Sequence, residues 1–169
     1  YQAGDGITAG DYNTTVGGSA LSANCGSANT AVGYTALIAN TGEHNTAIGK
    51  GAMYTAASVD KCVAIGTHSL YAANEDDGDG TVVIGHSAGY NYAPTGAGTA
   101  TGATTLIGYH AGYDDSDTGR GLTTGKQNTA VGHETLGANA GNALTGDDST
   151  VVGYRAGYAM VGASTGNTI

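Results

Sequence analysis

Five histidines, His44, His68, His86, His110 and His133, are the side chains here best suited to bind a transition metal or titrate near neutral pH. Three acidic clusters offer hard oxygens of the kind calcium takes: Glu75-Asp76-Asp77-Gly78-Asp79-Gly80, Asp114-Asp115-Ser116-Asp117 and Asp147-Asp148. None is followed by the distal bidentate Glu of a calcium loop. They read as solvated acidic turns, with calcium the lesser alternative and no cofactor expected. Nucleophilic chemistry has no footing: no Gly-x-Ser-x-Gly elbow occurs, and Cys25 and Cys62 stand in no activating context. An enzyme is not expected.

The composition narrows partners and fold. Leu, Ile, Val and Met number 26 of 169 residues, beside 31 Gly, 11 Tyr and no Trp or Phe. So few large apolar groups cannot fill a conventional α/β interior. Net charge is −9, and the five cations Lys50, Lys61, Lys126, Arg120 and Arg155 are scattered. A phosphate-tracking groove needs clustered cations, so nucleic acid and anionic membrane surfaces are disfavoured. No apolar run approaches the roughly 18 residues needed to span a bilayer, so no membrane insertion is expected.

Repetition is what organises the chain. A nine-residue unit is clearest at Asn29-Thr30-Ala31-Val32-Gly33-Tyr34-Thr35-Ala36-Leu37 and recurs at 13–21, 45–53, 62–70, 81–89, 104–112, 128–136 and 149–157. Its fifth-position glycines, Gly17, Gly33, Gly49, Gly66, Gly85, Gly108, Gly132 and Gly153, are separated by 16 to 24 residues. Tyr1-Gln2-Ala3-Gly4 matches the second half of a unit and Asn167-Thr168-Ile169 the first third of another. The expectation is one repeat array over residues 1–169, a segment of a longer fibre.

Thr-Ala-Val is short, β-branched and bounded by Asn and Gly, which is strand character. A glycine in every copy and no persistent 3.6-residue apolar pattern argue against helix. A period near 16 suits one coil of a narrow solenoid, with two short strands and two tight turns per coil. Stacked coils pair in parallel at about 4.8 Å and align identical positions into ladders. The predicted fold is all-β, a β-solenoid of about nine coils.

Position four gives an aliphatic ladder, Val16, Val32, Ile48, Ile65, Ile84, Ile107, Val131 and Val152. Position eight gives a small-residue column, Ala20, Ala36, Ala52, Ser69, Ala88, Ala111, Thr135 and Ala156. These two columns are expected to form the thin core. A coil that thin calls for burial against identical chains, hence a homotrimer.

Tyrosines recur at position ten (Tyr54, Tyr71, Tyr90, Tyr113, Tyr158) and position six (Tyr1, Tyr34, Tyr109, Tyr154). They suit either sugar stacking along a fibre or packing between chains. His86 and His133 also sit at position six, where a threefold assembly could converge three imidazoles on a metal. Lys50 and Thr67 share that column, so no metal site is expected. The two cysteines lie about two coils apart, too far for a bridge. Threonines at position two (Thr14, Thr30, Thr46, Thr105, Thr129, Thr150) raise ice binding, but Val63 and Val82 interrupt the rank. Inserts near 74–80, 91–103, 114–126 and 137–148 read as surface loops, the usual seat of binding. Together with Tyr90, Tyr92, Tyr113 and Tyr158, they are the candidates for receptor contact.

The string Asn-Thr-Ala-Val-Gly-Tyr-x-Ala-Leu, best matched at 29–37, 45–53 and 128–136, resembles repeats of bacteriophage tail fibres. Val63-Ala64-Ile65-Gly66 is similar to head repeats of trimeric autotransporter adhesins, which form a left-handed parallel β-roll trimer. The resemblance implies a virion tail-fibre or extracellular setting and attachment to a host-surface glycan or protein. A bacterial adhesin or extracellular filament subunit is the alternative. The long inserts depart from both patterns.

Overall fold

The computed structural model describes residues 2–56, 58–73, 79–92, 103–113, 121–122, 125–137, 143–158, 160 and 165–169. Each repeat contributes one three-residue strand: β1 (Thr14–Val16), β2 (Thr30–Val32), β3 (Thr46–Ile48), β4 (Val63–Ile65), β5 (Val82–Ile84), β6 (Thr105–Ile107), β8 (Thr129–Val131) and β10 (Thr150–Val152). They form one eight-stranded sheet in the order β1-β2-β3-β4-β5-β6-β8-β10, parallel throughout. The chain is a parallel β-solenoid. Pairing is residue for residue, with Val16 opposite Val32, Val32 opposite Ile48 and Ile48 opposite Ile65. Thr168 adds an isolated parallel bridge to Thr150 beyond β10.

The second half of each coil is not the strand expected from its length. It is a run of turns in which positions seven and nine take left-handed backbone, as at His68 (φ 55°) and Leu70 (φ 47°). Such backbone costs a non-glycine residue about 1 kcal/mol or more. Its amides nevertheless reach adjacent coils: the His68 N–H donates to Lys50 O and the Leu70 N–H to Ala88 O, at 2.9 and 3.0 Å. The stack satisfies the turn's polar groups without a ladder of strands.

The core corrects the expected facing of the strand. Position three is the interior residue: Ala31, Ala47, Ala64, Val83, Leu106, Ala130 and Val151 are completely buried. Opposite them lie position eight (Ala20, Ala36, Ala52, Ser69, Ala88, Ala111 and Thr135) and the position-nine side chains Leu21, Leu37, Met53, Leu70 and Leu136. The Val/Ile ladder at position four points out of the coil. Val16 is 57% exposed, Ile48 39% and Val152 58%. The parity of the alternation was legible; its face was inverted, because the narrow lumen is already filled by the position-eight and position-nine side chains in most coils and leaves position three the alanines there.

Volume inside each coil is conserved by exchange between two positions. Where position nine is Leu or Met, position three is small: Thr15 with Leu21, Ala31 with Leu37, Ala47 with Met53, Ala64 with Leu70, Ala130 with Leu136. Where position nine is glycine, position three is large: Val83 with Gly89, Leu106 with Gly112, Val151 with Gly157. Close packing makes this exchange necessary.

The fifth-position glycine is required twice over. Gly66 has φ +132°, and a Cβ there would lie 2.5 Å from Gly85 O in the next coil. A polar spine completes the interior. Asn45 donates Nδ2–H to Val59 O at 2.7 Å, and its Oδ1 accepts the Cys62 N–H at 3.0 Å. Asn29 Oδ1 accepts the Asn45 N–H in turn, and Asn13 Oδ1 that of Asn29.

Of the expected insert loops, 74–78, 93–102, 114–120, 123–124 and 138–142 lie outside the described residues. Two inserts carry an element the sequence did not announce. β7 (Gly121–Leu122) and β9 (Ala143–Leu144) pair in parallel as a separate two-stranded sheet.

Candidate functional site

Each strand ends at its fifth-position glycine, and the turn that follows carries positions six, seven and ten. One-to-one stacking places the side chains of successive turns directly over each other. Tyr54 and Tyr71 stack with ring centroids 4.9 Å apart and planes 1° from parallel; Tyr71 and Tyr90 stack at 4.8 Å and 4°. Tyr113 continues the column at 5.6 Å, tilted by 44°. Beside it runs a second column in which His86, Tyr109, His133 and Tyr154 follow one another at 5.4, 4.9 and 5.4 Å.

His68 lies against the first column, and His110 joins the two. His68 meets Tyr71 edge-on at 5.2 Å, and His110 stacks on Tyr113 at 4.4 Å and on Tyr109 at 3.9 Å. At the far end Arg155 lies over the Tyr158 ring, 4.2 Å from its centroid, and pairs with Glu134 at 2.7 Å. The result is one continuous band from Tyr54 to Tyr158. The sequence showed the tyrosine columns; it did not show that four of the five histidines interleave with them. Counting positions six and seven together would have revealed it.

Because both faces of Tyr71 are covered by its neighbours, the tyrosine column offers ring edges rather than flat platforms. The two faces of Tyr71 are therefore closed to a stacked sugar ring. Burial raises the Tyr71 phenol above its usual range, with Tyr90 and Tyr54 adding to the effect. Burial likewise lowers the His68 imidazole, helped by Lys50 and His86. His110 is lowered by burial and by His86 and His133, against a smaller opposing pull from Glu134.

Tyr90, Tyr113 and Tyr158 lie half-buried in this band. Tyr92 does not belong with them. It is fully buried, and its hydroxyl bonds Thr104 Oγ1 at 2.8 Å and Gly125 O at 2.9 Å. As a receptor contact it is ruled out: its ring is a core residue that ties two coils together.

Apart from Glu134, the described carboxylates lie elsewhere. Asp60 Oδ1 accepts the Glu43 N–H at 2.7 Å, Asp79 Oδ1 the Asp60 N–H at 2.6 Å, and Asp147 Oδ1 the Lys126 N–H at 2.7 Å. These carboxylates cap the turns that precede β3, β4 and β8, at the opposite end of the strand from the position-six and position-seven imidazoles, whereas His44 lies beside Glu43 on one of these turns. The 75–77 and 114–117 clusters lie outside the described residues. Cys25 and Cys62 are buried and not joined in a disulfide, and burial pushes the Cys62 thiol up to about 12.

Among the described residues no three His, Cys, Asp or Glu side chains are grouped as a metal ion would need. The fold around the band is a parallel β-solenoid. Among the same residues no helix is long and apolar enough to cross a membrane. No family model, no curated protein and no solved structure matches the chain.

Proposed function

We propose that this chain is a structural segment of a trimeric viral tail fibre, which extends as a stiff rod and presents side chains and loops to a host surface. The observation that carries the reading is the outward Val/Ile ladder from Val16 to Val152, aligned by parallel pairing on one sheet face. Eight stacked strands extend it to about 34 Å. Burying each such side chain is worth about 1–2 kcal/mol. Three copies meeting along this column around a threefold axis would bury it entirely, with the Thr/Val column of position two beside it. Left-handed coiling and a virion or extracellular location belong to the same reading, and a host glycan or host protein is the partner. A bacterial surface adhesin or filament subunit with the same roll is the second reading, favoured by the Val63-Ala64-Ile65-Gly66 repeat.

The test is the solution mass by light scattering. A stable mass near three times 16.5 kDa is expected. Ile84→Asp is expected to yield a folded monomer, since Ile84 lies on the outer face, whereas Val83→Asp places a charge in the lumen and unfolds the coil. A wild-type monomer overturns the trimer.

A further inference from the structure

The distribution of charge on the coil is lopsided in a way that the net charge of −9 conceals. The band from Tyr54 to Tyr158 contains His68, His86, His110, His133 and Arg155, with Lys50 beside its first turns. Glu134 is its sole carboxylate among the described residues, and that group is paired with Arg155. The other described carboxylates lie on the turns that precede the strands or near the N-terminus. The band is also accessible: Tyr109 is 45% exposed and Tyr154 71%.

We propose that this band is a docking surface for an extended anionic polysaccharide, a chain of uronic-acid sugars laid along the coil axis. The inference rests on the attachment reading above for its class of partner and on the band itself for its chemistry. Three features select the ligand. The band is linear and repeats at the coil spacing of about 4.8 Å, close to the rise of one sugar in an extended chain, so it suits a polymer rather than a compact molecule. Most ring faces inside the columns are covered by their neighbours, so recognition falls chiefly to phenol hydroxyls and imidazole N–H groups at the edges, which meet hydroxyls and carboxylates. Its charge is conditional: protonated imidazoles supply charge-assisted hydrogen bonds to carboxylates, while neutral ones do not.

Binding therefore strengthens with acidification. The groups facing the imidazoles are Lys50, Arg155, Glu134, the stacked tyrosines and the other histidines. Within the free band the imidazoles repel one another when charged, since His86 and His110 lie 5.7 Å apart. A carboxylate laid between them relieves that repulsion, so docking draws protons onto the band.

Polygalacturonate and dextran serve as the charged and neutral probes, with binding to the full chain measured by calorimetry at about pH 5 and about pH 7.5. Polygalacturonate is expected to bind about ten-fold or more tightly at the lower pH, and dextran at neither. The His110→Gln/His133→Gln variant, its fold checked by circular dichroism, is expected to lose the pH-dependent gain. Equal polygalacturonate affinity at the two pH values, full retention of the gain in the variant, or dextran binding as tight as polygalacturonate would each overturn the proposal. So would equal affinity for single-stranded DNA, which reduces the band to a non-specific polyanion site. Mass is read on the same samples. A trimer that binds no polygalacturonate sinks this inference alone, and a monomer that binds it sinks the trimer alone.

Discussion

The side-chain oxygen of Asn45 accepts the backbone N–H of Cys62, one coil further on, while the Asn45 amide donates to Val59 O. A single buried side chain thus closes the turn before β4 and registers two coils. Asn45→Ala would remove the Cys62 N–H acceptor and leave Val59 O only the longer contact from Asn40 Nδ2 at 3.5 Å. Weakening buried hydrogen bonds in this way costs about 1–3 kcal/mol, and we expect a loss of that size in urea unfolding. Asn24→Ala, at an exposed site, is expected to cost less than about 1 kcal/mol.

Gly66 and Gly153 occupy the same repeat position with nearly the same backbone, φ +132° and +131°. A Cβ at Gly66 would meet the stacked Gly85 backbone, whereas among the described residues a Cβ at Gly153 meets nothing nearer than the Ala156 methyl at 3.7 Å. Gly66→Ala therefore combines backbone strain with a clash against Gly85, whereas Gly153→Ala carries the strain alone. A thermal melt is expected to drop much further for the first, with the second costing about 1–3 kcal/mol. Equal losses would mean that the close approach of neighbouring coils does not matter.

These glycines show how much was readable in advance. Their recurrence, and the Asn-Thr-Ala-Val frame around them, give the period, the parallel stacking and the identity of each ladder. Facing was not readable by hydrophobicity alone. Val32 and Ile48 outrank Ala31 and Ala47 as core residues on any apolar scale, yet the lumen admits the alanines. The turns were hidden for a different reason. Leu21, Leu37 and Leu70 adopt left-handed backbone that propensity assigns to glycine, and coil-to-coil hydrogen bonds together with burial of their side chains hold them there. The band was half legible: the tyrosines repeat at one position, but the imidazoles change position from coil to coil and become one surface only when the turns are stacked.

Cys62 gives the alkaline limit of the fold. Burial, which disfavours the thiolate, pushes its thiol up from the ordinary thiol range to about 12 in the folded chain. The folded value lies above the unfolded one, so this contribution is complete below about pH 9 and is lost as pH rises toward 12. Stability is expected to fall over that window, and Cys62→Ala is expected to flatten the slope while leaving the tyrosine contribution in place. Iodoacetamide at about pH 8 should leave the native thiol unmodified and label it after denaturation. Rapid labelling of the folded chain would show the coil to be open at this point.

The exchange between positions three and nine allows a sharper test of the lumen. Leu106 Cδ1 would lie 3.0 Å from a Cβ added to Gly89, so the large residue of one coil occupies the space beside the small residue of its neighbour as well as its own. Ala64 and Leu70 hold the complementary arrangement, both essentially fully buried. Ala64→Val alone overfills the coil, at about 1–3 kcal/mol. Leu70→Gly alone empties it, at about 2–5 kcal/mol, partly offset because glycine accepts the left-handed backbone there. Together they recreate the Val83–Gly89 pattern, so the double variant should be more stable than the sum of the two losses implies. A coupling of about 1 kcal/mol or more in the double-mutant cycle is expected. Strict additivity would mean that the two positions do not share one volume, and that the compensating pattern in all eight repeats has another origin.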